Sequence, residues 1–80
     1  MSSETIVRGV MLLGIVLGWE EKVIREIRRF DGVKDTFLVY GEYDGVILFE
    51  TDGQAKLNSI IARIRRIEGV TRTVTLVASQ

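Results

Sequence analysis

The chain has 80 residues, enough for one small domain, and 11 Lys plus Arg balance 11 Asp plus Glu, so its formal net charge is zero. That balance argues against a free-standing nucleic-acid binder, which carries a basic excess. Cysteine and histidine are both absent. Their absence excludes a disulfide scaffold, thiolate catalysis and cysteine metal sites, and removes the commonest general base and metal ligand.

Met1-Ser2-Ser3-Glu4 is a polar start and reads as a natural one. Thr5 to Val16 is the first predicted strand. It is apolar on both alternating sets, which predicts burial on both faces. Gly9 and Gly14 interrupt it, and either marks a bulge or a close approach of another backbone. Its apolar run, Val10 to Leu17, is too short to span a bilayer, which needs about 20 residues. Glu4 upstream and Gly18-Trp19-Glu20-Glu21 downstream do not fit a secretion signal. The expected location is the cytoplasm, with no membrane partner.

Trp19 to Phe30 follows the helical period, with Val23, Ile24, Ile27 and Phe30 on one face. Trp19 or Glu20 stands at its upstream edge, and Trp19 reads as an anchor for the helix start. Glu20 and Glu21 open the helix and Arg28 and Arg29 close it, which complements the dipole. Glu21 and Arg25 form an i,i+4 pair. Asp31-Gly32 ends the helix. Val33 to Tyr40 and Val46 to Glu50 are the next two strands, joined by Gly41-Glu42-Tyr43-Asp44-Gly45. Thr51-Asp52-Gly53-Gln54 starts a second helix, capped by a Thr51/Gln54 box or by Asp52. That helix runs to about Ile67, with Leu57, Ile60, Ile61, Ile64 and Ile67 as its stripe. Val70 to Ala78 is the fourth strand.

An internal repeat supports this order. Ile27-Arg28-Arg29-Phe30-Asp31-Gly32-Val33 returns as Ile64-Arg65-Arg66-Ile67-Glu68-Gly69-Val70, 37 residues later. Two β-α-β units at this spacing predict an α+β, ferredoxin-like βαββαβ sandwich. Right-handed crossovers put both helices on one face of a four-stranded antiparallel sheet. The other face stays apolar and open. It presents roughly 300–400 Å². Burying it on two partners gains on the order of 10 kcal/mol before association costs. This predicts a two-fold dimer packed sheet to sheet, a dimeric α/β barrel-like assembly.

The central turn carries more chemistry than a hairpin needs. One reading is structural: Gly41 and Gly45 supply positive φ and Asp44 caps the turn. The other is ligand binding. Consecutive N–H groups of a glycine-bearing turn can hold a carboxylate, and Asp44 can take an ammonium, as a free amino acid requires. Thr71, Thr73 and Thr75 put hydroxyls on the open face in this reading, or serve only β-propensity. Arg63, Arg65 and Arg66 read as dipole matching and solvation. Nothing resembles a catalytic constellation, a metal-ligand cluster or a phosphate loop, so neither an enzyme nor a cofactor is expected.

Together, Asp31-Gly32-Val33, Val39-Tyr40-Gly41-Glu42-Tyr43-Asp44, the second repeat copy and Thr73-Val74-Thr75 resemble the C-terminal effector-binding domain of Lrp/AsnC transcriptional regulators. This domain is also called the regulation-of-amino-acid-metabolism (RAM) domain. The resemblance covers the chain from about Ile6 onward. It implies sheet-to-sheet dimers, rings of dimers, and amino-acid effectors bound between dimers. Its Gly-x-x-Asp turn maps onto Gly41 and Asp44, with Glu42 and Tyr43 inside, and its Thr-x-Thr strand onto Thr73 and Thr75. The winged helix-turn-helix of full-length members has no counterpart in residues 1–80. The expectation is therefore a single stand-alone effector domain without direct DNA binding. It senses an amino acid itself, or co-assembles with a full-length Lrp/AsnC regulator as a structural module.

Overall fold

β1 (Ile6–Ile15) runs through the middle of the sheet, as a strand apolar on both faces should. The computed structural model describes residues 6–78. The polar start Met1–Glu4 and Thr5 lie outside them. α1 (Glu20–Ile27), β2 (Val33–Leu38), β3 (Gly45–Asp52), α2 (Gln54–Ile64) and β4 (Val70–Val77) complete the order βαββαβ. The strands lie in the order β2-β3-β1-β4, and each neighbouring pair is antiparallel. This is the split βαβ arrangement that the repeat predicts.

The repeat persists at atomic detail. Gly32 and Gly69 share a φ of 103°. Each follows a helix end, and each carbonyl accepts a hydrogen bond from an amide in or just beyond a strand: Glu50 N–H donates to the Gly32 carbonyl at 2.8 Å, and Val16 N–H to the Gly69 carbonyl at 2.8 Å. Between sheet and helices lie Met11, Leu13 and Ile15 of β1, Ile47 and Phe49 of β3, Val23, Ile24 and Ile27 of α1, and Leu57, Ile60 and Ile64 of α2. Trp19 and Phe30 pack against this core from its margin.

Three local expectations fail. The capping box does not form, because the β3 ladder keeps Thr51 opposite Val7. Its hydroxyl donates to the Gly53 carbonyl at 3.0 Å, and Gly53 precedes the helix without a side-chain cap. Gly45 does not supply positive φ; it is a buried residue of β3. Glu21 and Arg25 make no ion pair among the described residues. The ion pairs among the described residues are Arg8–Glu50 at 3.0 Å, Lys34–Glu50 at 3.7 Å and Lys56–Asp31 at 2.7 Å.

The largest correction concerns β4. Met11 and Leu13 pair with Thr75 and Thr73. Directly opposed residues share a face. Both β1 residues are fully buried in the core, so the threonines lie on the helix side and not on the open side. The helices sit closest to β2 and β3, which leaves Thr73 and Thr75 half-buried at the sheet's margin. The open face is built instead from Val10, Leu12, Phe37, Val46, Leu48, Val74 and Leu76. Phe37 is 44% and Leu76 57% exposed.

Candidate functional site

The β2–β3 ladder ends at Leu38 and Gly45. Beyond it, Val39 N–H still donates to the Asp44 carbonyl at 2.9 Å, closing the base of the turn. Gly41 sits at the exposed tip with a φ of 123°, a value that other residues adopt only with strain. Among the described residues, no protein acceptor takes the N–H of Gly41, Glu42 or Tyr43. Three consecutive amide donors at an exposed turn suit an anion such as a carboxylate.

Asp44 is committed to the scaffold. Its N–H donates to the Leu13 carbonyl at 2.8 Å, and its Oδ2 accepts the Ile15 N–H at 2.7 Å. The reason lies in β1. Its ladder with β3 stops at Leu13–Gly45, while its ladder with β4 continues past a register shift at Gly14/Ile15. The Ile15 amide loses its strand partner there, and the Asp44 carboxylate replaces it. The structural reading of Asp44 as a cap is therefore correct in kind, although what it caps is β1.

Two depressions flank this end of the sheet. One, of about 430 Å³, is lined by Leu17, Glu20, Glu21, Leu38, Tyr40 and Asp44 among others. Its rim is unusually apolar for an exposed surface, with Leu17 90% exposed and Tyr40 wholly so. The other, of about 400 Å³, is lined by Arg65, Val70, Thr71, Arg72 and Thr73. Gly45, Leu13 and Thr73 form one row across the sheet. Thr73 thus stands two strands, roughly 10 Å, from the turn. One chain brings Gly41, Glu42, Tyr43 and Asp44 together but places Thr73 and Thr75 elsewhere.

Sequence reasoning overlooked Arg72. It donates to the Glu42 carbonyl, and its guanidinium lies 4.4 Å from the Tyr43 ring centre. A signal existed: Arg72 is the one charge on the alternating set with Val74 and Leu76. No group of acidic residues among the described residues is arranged to hold a metal ion. None of the described helices is long and apolar enough to cross a membrane.

The model of the Lrp/AsnC ligand binding domain matches residues 11–80. The chain belongs to the Lrp/AsnC ligand binding domain family. Domains of this family are non-catalytic effector-binding modules. Among solved structures, this Lrp/AsnC domain is similar to FFRP-DM1, with 32% identity and a TM-score of 0.86 over 90% of this chain and 97% of that one. A hypothetical protein from Pyrococcus horikoshii is 31% identical, with a TM-score of 0.86, over 92% of this chain and 90% of its own. A transcriptional regulator from Neisseria meningitidis, solved in complex with L-Met, shares the fold at a TM-score of 0.82 and 13% identity. The match covers 92% of this Lrp/AsnC domain and 50% of that regulator. A comparison with curated proteins finds no match.

Proposed function

We propose that this single domain is an amino-acid sensor that works as a dimer and a ring of dimers, in the cytoplasm, and tunes the transcriptional regulation of metabolism. The observation that carries the proposal is the turn: three free amide donors at Gly41, Glu42 and Tyr43 stand beside a carboxylate. The amides suit the ligand's carboxylate. The second oxygen of Asp44 suits its ammonium. The L-Met complex of the Neisseria regulator supports the ligand class. Thr73 and Thr75 join the site only if a neighbouring copy supplies them, because within one chain they lie too far from the turn. The apolar open face gives the dimer its surface, and such a patch favours a partner over water.

A panel of free amino acids, read by thermal shift, tests the ligand. A ligand at 100-fold its dissociation constant adds about 2.7 kcal/mol. Asp44→Asn keeps an acceptor for the Ile15 amide and removes the charge, so it should cancel the shift while the fold stands. No shift across the panel, on assembled protein, would sink the sensor. Light scattering tests the assembly, and a stable monomer at micromolar protein would refute the open-face dimer.

One observation favours a second reading, a structural module that co-assembles with a full-length Lrp/AsnC regulator and binds no ligand of its own. Asp44 Oδ2 is already taken by the scaffold. Co-purification with a winged-helix protein, together with indifference to amino acids, would select it.

A further inference from the structure

Arg72 belongs to β4, yet its side chain ends on the β2–β3 turn, with β1 between β4 and that hairpin in the sheet. The crossing requires a gap. Arg72 pairs across β1 with Gly14, on the open side of the sheet. A Cβ placed on Gly14 would lie 2.6 Å from the Thr71 Oγ1, 2.9 Å from the Arg72 Cγ and 3.2 Å from the Arg72 Nε. The missing side chain of Gly14 is thus the channel through which the arginine passes. At its far end the guanidinium does two things at once. It stacks on Tyr43 at 4.4 Å and donates to the Glu42 carbonyl.

Among the described residues, no other side chain hydrogen-bonds the backbone of Gly41–Tyr43, and Arg72 has no carboxylate partner. We infer that Arg72 is the positioning residue of the candidate site. It sets the shape of the turn, and it ties that shape to β4, the strand that carries Thr73 and Thr75. A planar fork suits this task better than an ammonium, because it stacks and donates together. The inference names a determinant of the ligand site, and in that respect it rests on the sensor proposal; the clamp itself is testable without a ligand.

Hydrogen exchange at the Val39 amide, which closes the base of the turn, and at the Asp44 amide, which ties the turn to Leu13 of β1, reads the clamp directly. Losing a cation–π contact and a charge-assisted hydrogen bond should speed their exchange about tenfold in Arg72→Ala. Amides of Met11 and Ile47 should keep their protection. Arg72→Lys should fall between wild type and Arg72→Ala. Gly14→Ala should match Arg72→Ala with the arginine still present, because the methyl group closes its path. Tyr43→Leu provides the same test from the other partner if Gly14→Ala fails to fold. Unchanged exchange at Val39 and Asp44 in both Arg72→Ala and Tyr43→Leu overturns the clamp. Any amino acid that shifts the wild-type melting temperature should shift Arg72→Ala less, and an equal shift removes Arg72 from ligand positioning. A wild-type panel without any shift defeats the sensor instead, and the exchange rates still decide the clamp.

Discussion

The two ends of the sheet use the same kinds of charged side chain to opposite effect. At the end where β1 begins and β3 finishes, charges meet charges: Arg8 and Lys34 flank Glu50, and Lys56 meets Asp31. At the turn end, charges meet the main chain. Asp44 holds the Ile15 amide, Glu20 accepts the Gly18 N–H at 2.9 Å, and Arg72 holds the Glu42 carbonyl. The first end neutralises itself in water and needs no defined geometry. The second spends its charges on fixing loops, and leaves Leu17 and Tyr40 bare beside them. An end that is both shaped and incompletely covered is suited to meeting something else.

The contrast can be broken most strongly at Asp44. Asp44→Ala leaves the half-buried Ile15 amide without a partner, and should cost about 2 kcal/mol in urea unfolding at fixed protein concentration. Asp44→Asn should cost clearly less. Equal costs would mean that charge, and not the acceptor, matters at this position. Next comes Gly41→Ala, where an open surrounding rules out a clash but a φ of 123° imposes backbone strain. The expected loss is about 1–2 kcal/mol, read the same way.

The smallest effects belong to the opposite end. Hydrogen bonding to Arg8 holds the Glu50 carboxyl below its ordinary value, and hydrogen bonding to Lys56 does the same for Asp31. Their contribution is complete above the ordinary carboxylate range and disappears as pH falls through the lowered values. Lys56 is raised by its hydrogen bond with Asp31, so its share is complete below the ordinary lysine value and is lost as pH rises through the raised one. All three groups are solvated, and exposed pairs contribute little. Glu50→Gln and Asp31→Asn should therefore leave the unfolding midpoint nearly unchanged at moderate salt. A clear loss in either variant, persisting at high salt, would mean that this end is also built to a shape.

Much of this was legible in the residues. Ile27–Val33 and Ile64–Val70 announce two copies of one unit, and that alone orders the six elements. The apolar stripes of both helices could be read because the helical period is strict there. The side to which Thr73 and Thr75 point could not. β4 alternates threonine with valine and leucine, and an edge strand offers no interior to decide between them; only the pairing of Met11 with Thr75 settles it. Thr51 illustrates a different failure, since its spacing to Gln54 satisfies a capping rule that the β3 ladder overrides. Arg72 and Glu42 stand 30 positions apart, and no local pattern links an arginine to a carbonyl across an intervening strand.

The end of the β1–β3 ladder at Leu13 and Gly45 has a consequence for how this end can vary. A rung made of two backbones cannot change without slipping every residue beyond it. Where β1 outlasts β3, the last rung is instead one amide and one carboxylate. Any residue at position 44 with a suitable acceptor can close it, whatever lies between there and Val39. The hairpin can therefore be lengthened, shortened or rewritten while the register of all four strands stays in place. Its chemistry can drift faster than the fold that displays it.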